Sequence, residues 1–324
     1  MSSKRNSAPG NLRSIRALGT TATVALTEPS NLDEAAELLC EELTAIDLAC
    51  SRFREDSEIW RLNHAEGRRV GVSRLLFEAL CVARDVAMYT DGVVDPTVGS
   101  AVQELGYDQT FSSIEAIAPG FERSPRPAPG WWRIELDEQS LSVRVPSGTV
   151  VDLGASGKAL ATDRAARRIA VACGCGALVS IGGDVSLSGH PPKPGWAIGI
   201  AVDSSAPLST VDHVVSIAHG GLASSSTVVR SWRRGERRLH HIVDPRTGDV
   251  AFPYWSLVSA VGASCVMANA ASTAAVVWGR EAPRRLSAMG VPARLLGADG
   301  EEVFVCGWPS HDGVASARSI GAEG

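Results

Sequence analysis

Five short segments concentrate the side chains able to do chemistry. They are DGVVDPTVG (91–99), DLGASGKALATD (152–163), SIGGD (180–184), HHIVDPRTG (240–248) and ANAASTA (268–274). In the second, Gly154 and Gly157 open the backbone ahead of a helix that carries Lys158. Main-chain N–H groups at a helix start plus one ammonium form a cradle for an anion. The spacing is neither GxxxxGK[ST] nor GxGxxG, so any phosphate is held by another geometry. In the last segment, Asn269, Ser272 and Thr273 share one face of an otherwise Ala/Val helix. Three oxygen-bearing side chains there suit a hard cation such as Mg²⁺, which keeps places for water and phosphate. They equally suit a helix start satisfying its own polar groups. His240 and His241 are neighbours on a strand, so only one can face a given cleft. A neutral imidazole there is suited to take a proton. Read alone, DPTVG and DPRTG are also good turn sequences, and SIGGD is also a strand ending in a Gly-Gly turn.

These segments need elements to position them. Alternation predicts a strand over 21–26. Asn31 opens a helix, with Glu34 three residues on as a capping box. Leu32, Ala35, Ala36, Leu39, Leu43 and Ile46 give that helix one apolar face. Ser73 caps a second helix, with Leu76, Phe77, Leu80, Ala83 and Ala87 at helical spacing, and Gly92 stops it. Residues 119–130 hold four prolines and two glycines and read as a surface loop. A hairpin follows over 132–136 and 141–145. Further helices are predicted over 157–172, 267–278 and 283–290. Further strands are predicted over 177–181, 196–202, 214–217, 239–243 and 257–262. Strands and helices interleave without strict βαβ alternation, which favours an α+β chain with mainly antiparallel sheet. Residues 1–14 and 310–324 read as flexible tails around one body over 15–309.

Composition removes whole classes of function. The 31 basic residues stand against 36 acidic ones, a net charge of −5, without the basic excess of a nucleic-acid binder. A hydrophobic share of 44% is too high for a disordered chain. No run approaches the roughly 18 apolar residues of a membrane span. The start, MSSKRNSAPGNLRSIRA, has no apolar stretch after its basic residues, so no signal peptide is expected. The cysteines at 40, 50, 81, 173, 175, 265 and 306 are odd in number and irregular in spacing. They read as scattered buried thiols in a reducing compartment, so a soluble cytoplasmic protein is expected.

Taken together and in this order, the segments resemble the FAD:protein FMN transferases, the ApbE family. The likeness runs from Leu18-Gly19-Thr20 to about Val277. It passes through Ser51-Arg52-Phe53 with Ser57-Glu58, the stretch from Gly92 to Gly99, and 152–159. It continues through Ile181-Gly182-Gly183, 241–248 and 268–275. The resemblance implies an α+β, ApbE-like fold with mixed, mainly antiparallel sheets and packed helices around a central flavin cleft. It implies transfer of FMN from FAD to a Thr or Ser side chain of a target flavoprotein, releasing AMP, with Mg²⁺ on the pyrophosphate. By resemblance, Asp152, Lys158, Val93, Val94 and Asp95 contact FAD, and Leu18, Phe53 and Val243 line the flavin or adenine cleft. The metal would be held by the main-chain carbonyl of Ala155 and by Asn269, Ser272 and Thr273. His241 would be the base on the acceptor hydroxyl.

The chain departs from the family pattern at several positions. Asn269 stands where the family helix usually carries Asp, and it supplies an oxygen but no charge. The family IAKG is Ser156-Gly157-Lys158-Ala159 here, an SGDY-like segment is Ser225-Ser226-Thr227-Val228, and the usual Met is Leu18. Two other readings stay open at this point: a protein that binds or stores FAD, and one that hydrolyses it to FMN and AMP.

Overall fold

The computed structural model describes residues 11–109, 111, 114, 117–118, 125–201, 211 and 213–308. Its frame is one eight-stranded sheet whose strands lie side by side in chain order. They are β1 (Leu12–Ala17), β2 (Thr20–Leu26), β3 (Ala177–Ile181), β4 (Asp184–Ser188), β5 (Gly220–Ser226), β6 (Trp255–Gly262), β7 (Ala293–Gly297) and β8 (Glu302–Val305). Every neighbouring pair is antiparallel. The α+β expectation with mainly antiparallel pairing therefore holds. Everything else is inserted between these strands.

Seven α-helices are described: α1 (Leu32–Cys50), α2 (Glu58–Asn63), α3 (Arg74–Tyr89), α4 (Gly99–Glu104), α5 (Gly157–Cys173), α6 (Cys265–Trp278) and α7 (Ala282–Ala288). The apolar face read for α1 is buried: Leu39, Leu43 and Ile46 pack with Leu160 and Ile169 of α5 and with Val24, Val179 and Ile181 of the sheet. A second cluster joins α6 and α7 to β6 and β7 through Ala270, Ala274, Leu286, Val258 and Leu295. The opposite sheet face carries Val185, Leu187 and Leu222, covered by the hairpin Trp196–Ile200 and His213–Ile217. Along β4 the side chains alternate between these layers, as strand geometry requires.

Several local expectations are corrected. Asn31 stands at the α1 N-cap but its side chain caps nothing. Its amide donates instead to the Cys173 carbonyl at 3.0 Å, tying the start of α1 to the end of α5. β1 begins at Leu12, inside the segment read as a tail. Residues 1–10 and 309–324 lie outside the described residues, as does half of the proline-rich loop, 119–124. The strand predicted over 239–243 is broken into Arg237–His240 and Val243–Asp244. β4 and β5 were not predicted, because DVSLS and GGLASSS carry too many small polar residues to show apolar alternation. The seven cysteines are all free thiols, and Cys40 and Cys306 are exposed rather than buried.

The packing of α6 depends on two glycines. Gly221 of β5 pairs with Gly262 of β6, directly beneath the start of α6. A Cβ on Gly221 would stand 2.4 Å from the main-chain nitrogen of Cys265, and one on Gly262 2.8 Å from that of Ala268. The missing side chains let the helix backbone approach the sheet. Gly221→Ala should therefore destabilise the fold by about 1–3 kcal/mol, the usual cost of overpacking. A denaturant melt checks this, and an unchanged midpoint would show that α6 can move away freely.

Candidate active site

A deep cleft of about 1310 Å³ opens where the ends of β2, β3, β4 and β5 meet the start of α5. Its volume exceeds the roughly 300–1,000 Å³ of typical small-molecule pockets, so a ligand larger than a mononucleotide can enter. Two tight turns shape its floor. Ile181 pairs with Asp184, so Gly182 and Gly183 form a two-residue hairpin, with φ of 63° and 97°. Positive φ at both positions is the reason for Gly-Gly. The turn places Asp184 at the first residue of β4, buried in the cleft wall. Leu18 and Gly19 make the corresponding turn between β1 and β2, with φ of 51° and 68°.

α5 starts at Gly157 and sends Lys158 into the cleft. Its ammonium donates to the Gly154 carbonyl at 3.3 Å. Burial pushes this group below the usual lysine range and Arg230 pushes it further, while Asp184 and Asp152 act in the other direction. The loop before α5 is held by Asp152. One carboxylate oxygen accepts from Gly154 N–H at 2.6 Å, and the other takes the Arg52 guanidinium at 2.7 Å. Arg52 in turn lies over the Phe53 ring, 4.2 Å from its centroid. Asp152 thus serves as a brace in the cleft wall.

α6 supplies the oxygen donors. Its first turn is fixed from three sides. Ser264 Oγ accepts from Met267 N–H at 3.2 Å. The Asp163 carboxylate, from α5, accepts from Cys265 N–H at 2.9 Å and Val266 N–H at 3.0 Å. Ser186 of β4 donates to the same carboxylate at 2.6 Å. One turn along α6, Asn269 donates through its amide to Asp184 at 2.9 Å, leaving its Oδ1 buried without a partner. Burial pushes the Asp184 carboxyl up, against the influence of Lys158 and the Asn269 bond. Thr273, one turn further, exchanges a hydrogen bond with Ser225 at 3.0 Å and lines the cleft.

The two histidines divide as strand geometry demands. His240 is buried away from the cleft, with Nε2 near the Ala251 carbonyl at 2.9 Å and Nδ1 accepting from Ile242 N–H. His241 sits in the break between the two short strands and lines the cleft. The main chain of Arg230 lies beside the ring, whose Nδ1 is buried with no hydrogen-bond partner among the described residues. The ring stays well below its ordinary 6.5, first because of burial, then because Arg230 and Lys158 disfavour a third positive charge.

Leu18, Phe53, Val93, Val94, Asp95, Asp152, Ala155, Lys158, His241, Val243, Asn269 and Thr273 all line this one cleft. One of the expected residues is placed differently. Ser272 does not reach the cleft: it is fully buried, bonded to Ser225 at 2.9 Å and donating to the Asn269 carbonyl at 3.1 Å. The Asp95 carboxylate is consumed by Thr97 and by Trp131 N–H, so it shapes its loop. Sequence reasoning assigned no role to Arg52, Asp163, Asp184 or Arg230. Asp184 sat inside a flagged segment, but nothing in one dimension paired it with Asn269, 85 residues away.

The ApbE family pattern matches residues 18–295. The chain belongs to the ApbE family. A FAD:protein FMN transferase of Haemophilus influenzae is 24% identical over 278 residues, which span 82% of this chain and 80% of that protein. One of Rhodobacter capsulatus is 30% identical over 250 residues, 74% of this chain and 46% of its own length. The ApbE protein of Thermotoga maritima superposes with a TM-score of 0.78 at 26% identity, covering 91% of this chain and 96% of that one. The flavinyl transferase ApbE of Pseudomonas stutzeri, at 21% identity, shares the fold with a TM-score of 0.74 over 91% and 92% of the two chains. The ApbE-like fold expected from the motifs is thereby established.

His241 gives a direct test of the cleft's electrostatics. Its native pKa lies below that of the unfolded chain, so the ring is neutral when folded and costs stability as pH falls below about 6.5. In an NMR titration of the histidine rings, His241 should remain neutral through pH 6.5, whereas a midpoint at the ordinary value would contradict this placement.

Proposed function

We propose that this ApbE-family chain is a FAD:protein FMN transferase that moves FMN from FAD onto a Thr or Ser hydroxyl of an acceptor flavoprotein and releases AMP. The single observation that carries the reading is the convergence of Lys158, His241 and Asn269 on one dinucleotide-sized cleft. The name carried by its relatives agrees with it.

In the reaction, the acceptor oxygen forms a bond to the FMN phosphorus as the phosphoanhydride bond to AMP breaks. A hydroxyl is a poor nucleophile, and a neutral His241 takes its proton as the new bond forms. The low proton affinity of the ring keeps it in the base form at neutral pH. Lys158 holds the negative phosphate oxygens; its charge is worth more in a desolvated cleft than in water. Leu18, Phe53 and Val243 offer apolar surface to flat rings, and Val93 and Val94 close the wall beside them.

The donors fit a hard cation. Among the described residues no group of three His, Cys, Asp or Glu side chains is placed to hold a metal. The set here is instead mostly neutral oxygens: the orphaned Asn269 Oδ1, the Thr273 hydroxyl and the Ala155 carbonyl, with Asp184 one hydrogen bond away. Mg²⁺ takes oxygen ligands and keeps places for water and phosphate, and when bound it would neutralise charge on the phosphates. Replacing Asn269 by Leu removes the one unpartnered oxygen. A rise in melting temperature with Mg²⁺ should occur for the native chain and vanish in N269L; equal rises would take position 269 out of the site.

The proposed setting is the cytoplasm. It rests on the free thiols, and among the described residues no helix is long and apolar enough to cross a membrane.

The deciding experiment incubates the protein with FAD and Mg²⁺, with and without an acceptor flavoprotein, and follows AMP and protein-bound flavin. AMP release should depend on the acceptor, with flavin attached to it. Lys158→Ala and His241→Ala should each lower the rate about 100-fold or more, the scale of a lost phosphate contact or general base. Free FMN without acceptor would indicate hydrolysis, and FAD binding without AMP would indicate storage.

A further inference from the structure

Five basic side chains line the cleft: Arg16, Arg52, Arg54, Lys158 and Arg230. Three are committed elsewhere. Arg52 is paired with Asp152 at 2.7 Å, Arg54 bridges Asp47 at 3.0 Å and Asp56 at 2.7 Å, and Arg16 donates to Thr21 at the rim. Lys158 reaches only a main-chain carbonyl. Arg230 forms no ion pair among the described residues, although it is partly buried. It stands in the connection between β5 and the strand Ser231–Arg234, and its main chain lies beside the His241 ring.

Two cations with no carboxylate of their own share one desolvated cleft, which costs free energy until an anion enters. Asp184 is the acidic group whose charge reaches both, but it is bonded to Asn269 and burial drives it toward its neutral form. We infer that Arg230 is a second diphosphate-binding cation, its planar fork taking one phosphate while Lys158 takes the other. This rests on the transferase reading for the identity of the ligand. A guanidinium matches the paired oxygens of a phosphate with two parallel N–H bonds, which a lysine cannot reproduce. Ser231 pairs with His240, so Arg230 and His241 flank the same end of that hairpin, which puts the phosphate next to the base.

The test is calorimetric titration of the native chain, R230A, R230Q and R230K with ADP, FAD, adenosine and riboflavin. Charged hydrogen bonds of this kind set the expected loss in R230A and R230Q at roughly 10- to 100-fold for ADP and FAD. Adenosine and riboflavin, which lack the diphosphate, should bind unchanged, and R230K should recover part of the loss. A second readout separates charge from shape. The charged or titratable groups facing His241 are Arg230, Lys158 of α5 and His240. Removing the Arg230 side chain keeps the main-chain contact and lifts one positive charge, so the His241 titration should move to higher pH in R230A and R230Q but not in R230K. Unchanged ADP affinity in R230A, or an equal loss for adenosine, overturns the inference. If R230A does not fold, the contrast between R230Q and R230K decides. Because ADP binding needs no acceptor, the outcome stands whether or not flavin transfer is observed, and normal ADP binding by R230A in a chain that transfers flavin would remove only Arg230.

Discussion

One carboxylate holds three parts of the site in register. Asp163 belongs to α5, accepts the first two free N–H groups of α6, and is itself held by Ser186 of β4. An acid at a helix N-terminus meets both unpaired donors and the positive end of the helix dipole. Each element tied there carries a polar cleft side chain, among them Lys158 on α5, Asp184 on β4 and Asn269 on α6. Their mutual spacing follows from a bond made outside the cleft. The glycine pair at 221 and 262 adds the second condition, since α6 can lie on the sheet only where no Cβ intervenes.

The charges in the cleft are apportioned by partner. Asp152 and Arg52 neutralise each other and stiffen the loop before α5. Asp95 is absorbed in turn geometry. What remains lining the cleft is two cations, Lys158 and Arg230, and the oxygen-bearing side chains of Asn269, Thr273 and Asp184. His241 lies near these positive groups and is kept neutral first by burial and then by them, so the charges proposed to take an anion also favour the neutral ring.

The motifs bring most of the expected residues to one cleft because turn chemistry is local. Gly-Gly at 182–183 specifies a two-residue hairpin, and a Gly ahead of Lys158 specifies an open helix start, whatever surrounds them. The helices over 157–172 and 267–278 were legible from periodicity to within two residues. β4 and β5 were not, because Ser186, Ser224 and Ser225 point their polar groups at partners from other elements. Such strands lose the apolar alternation by which a strand is read. Asn31 shows the same failure in reverse: a good capping sequence is overridden when a carbonyl of α5 offers a better partner.

Composition, turn residues and motif order by themselves determined the class of fold, the family resemblance, and which segments meet at the cleft. They could not determine the use of each side chain. Ser272 and Thr273 are neighbours of similar chemistry, yet one is sealed under β5 and the other opens to the cleft. Asp152 and Asp184 are both acids at the cleft, yet one braces an arginine and the other an asparagine. Only the tertiary structure decided these, because a polar group is defined by the partner it finds, and here those partners lie on elements far apart in the chain.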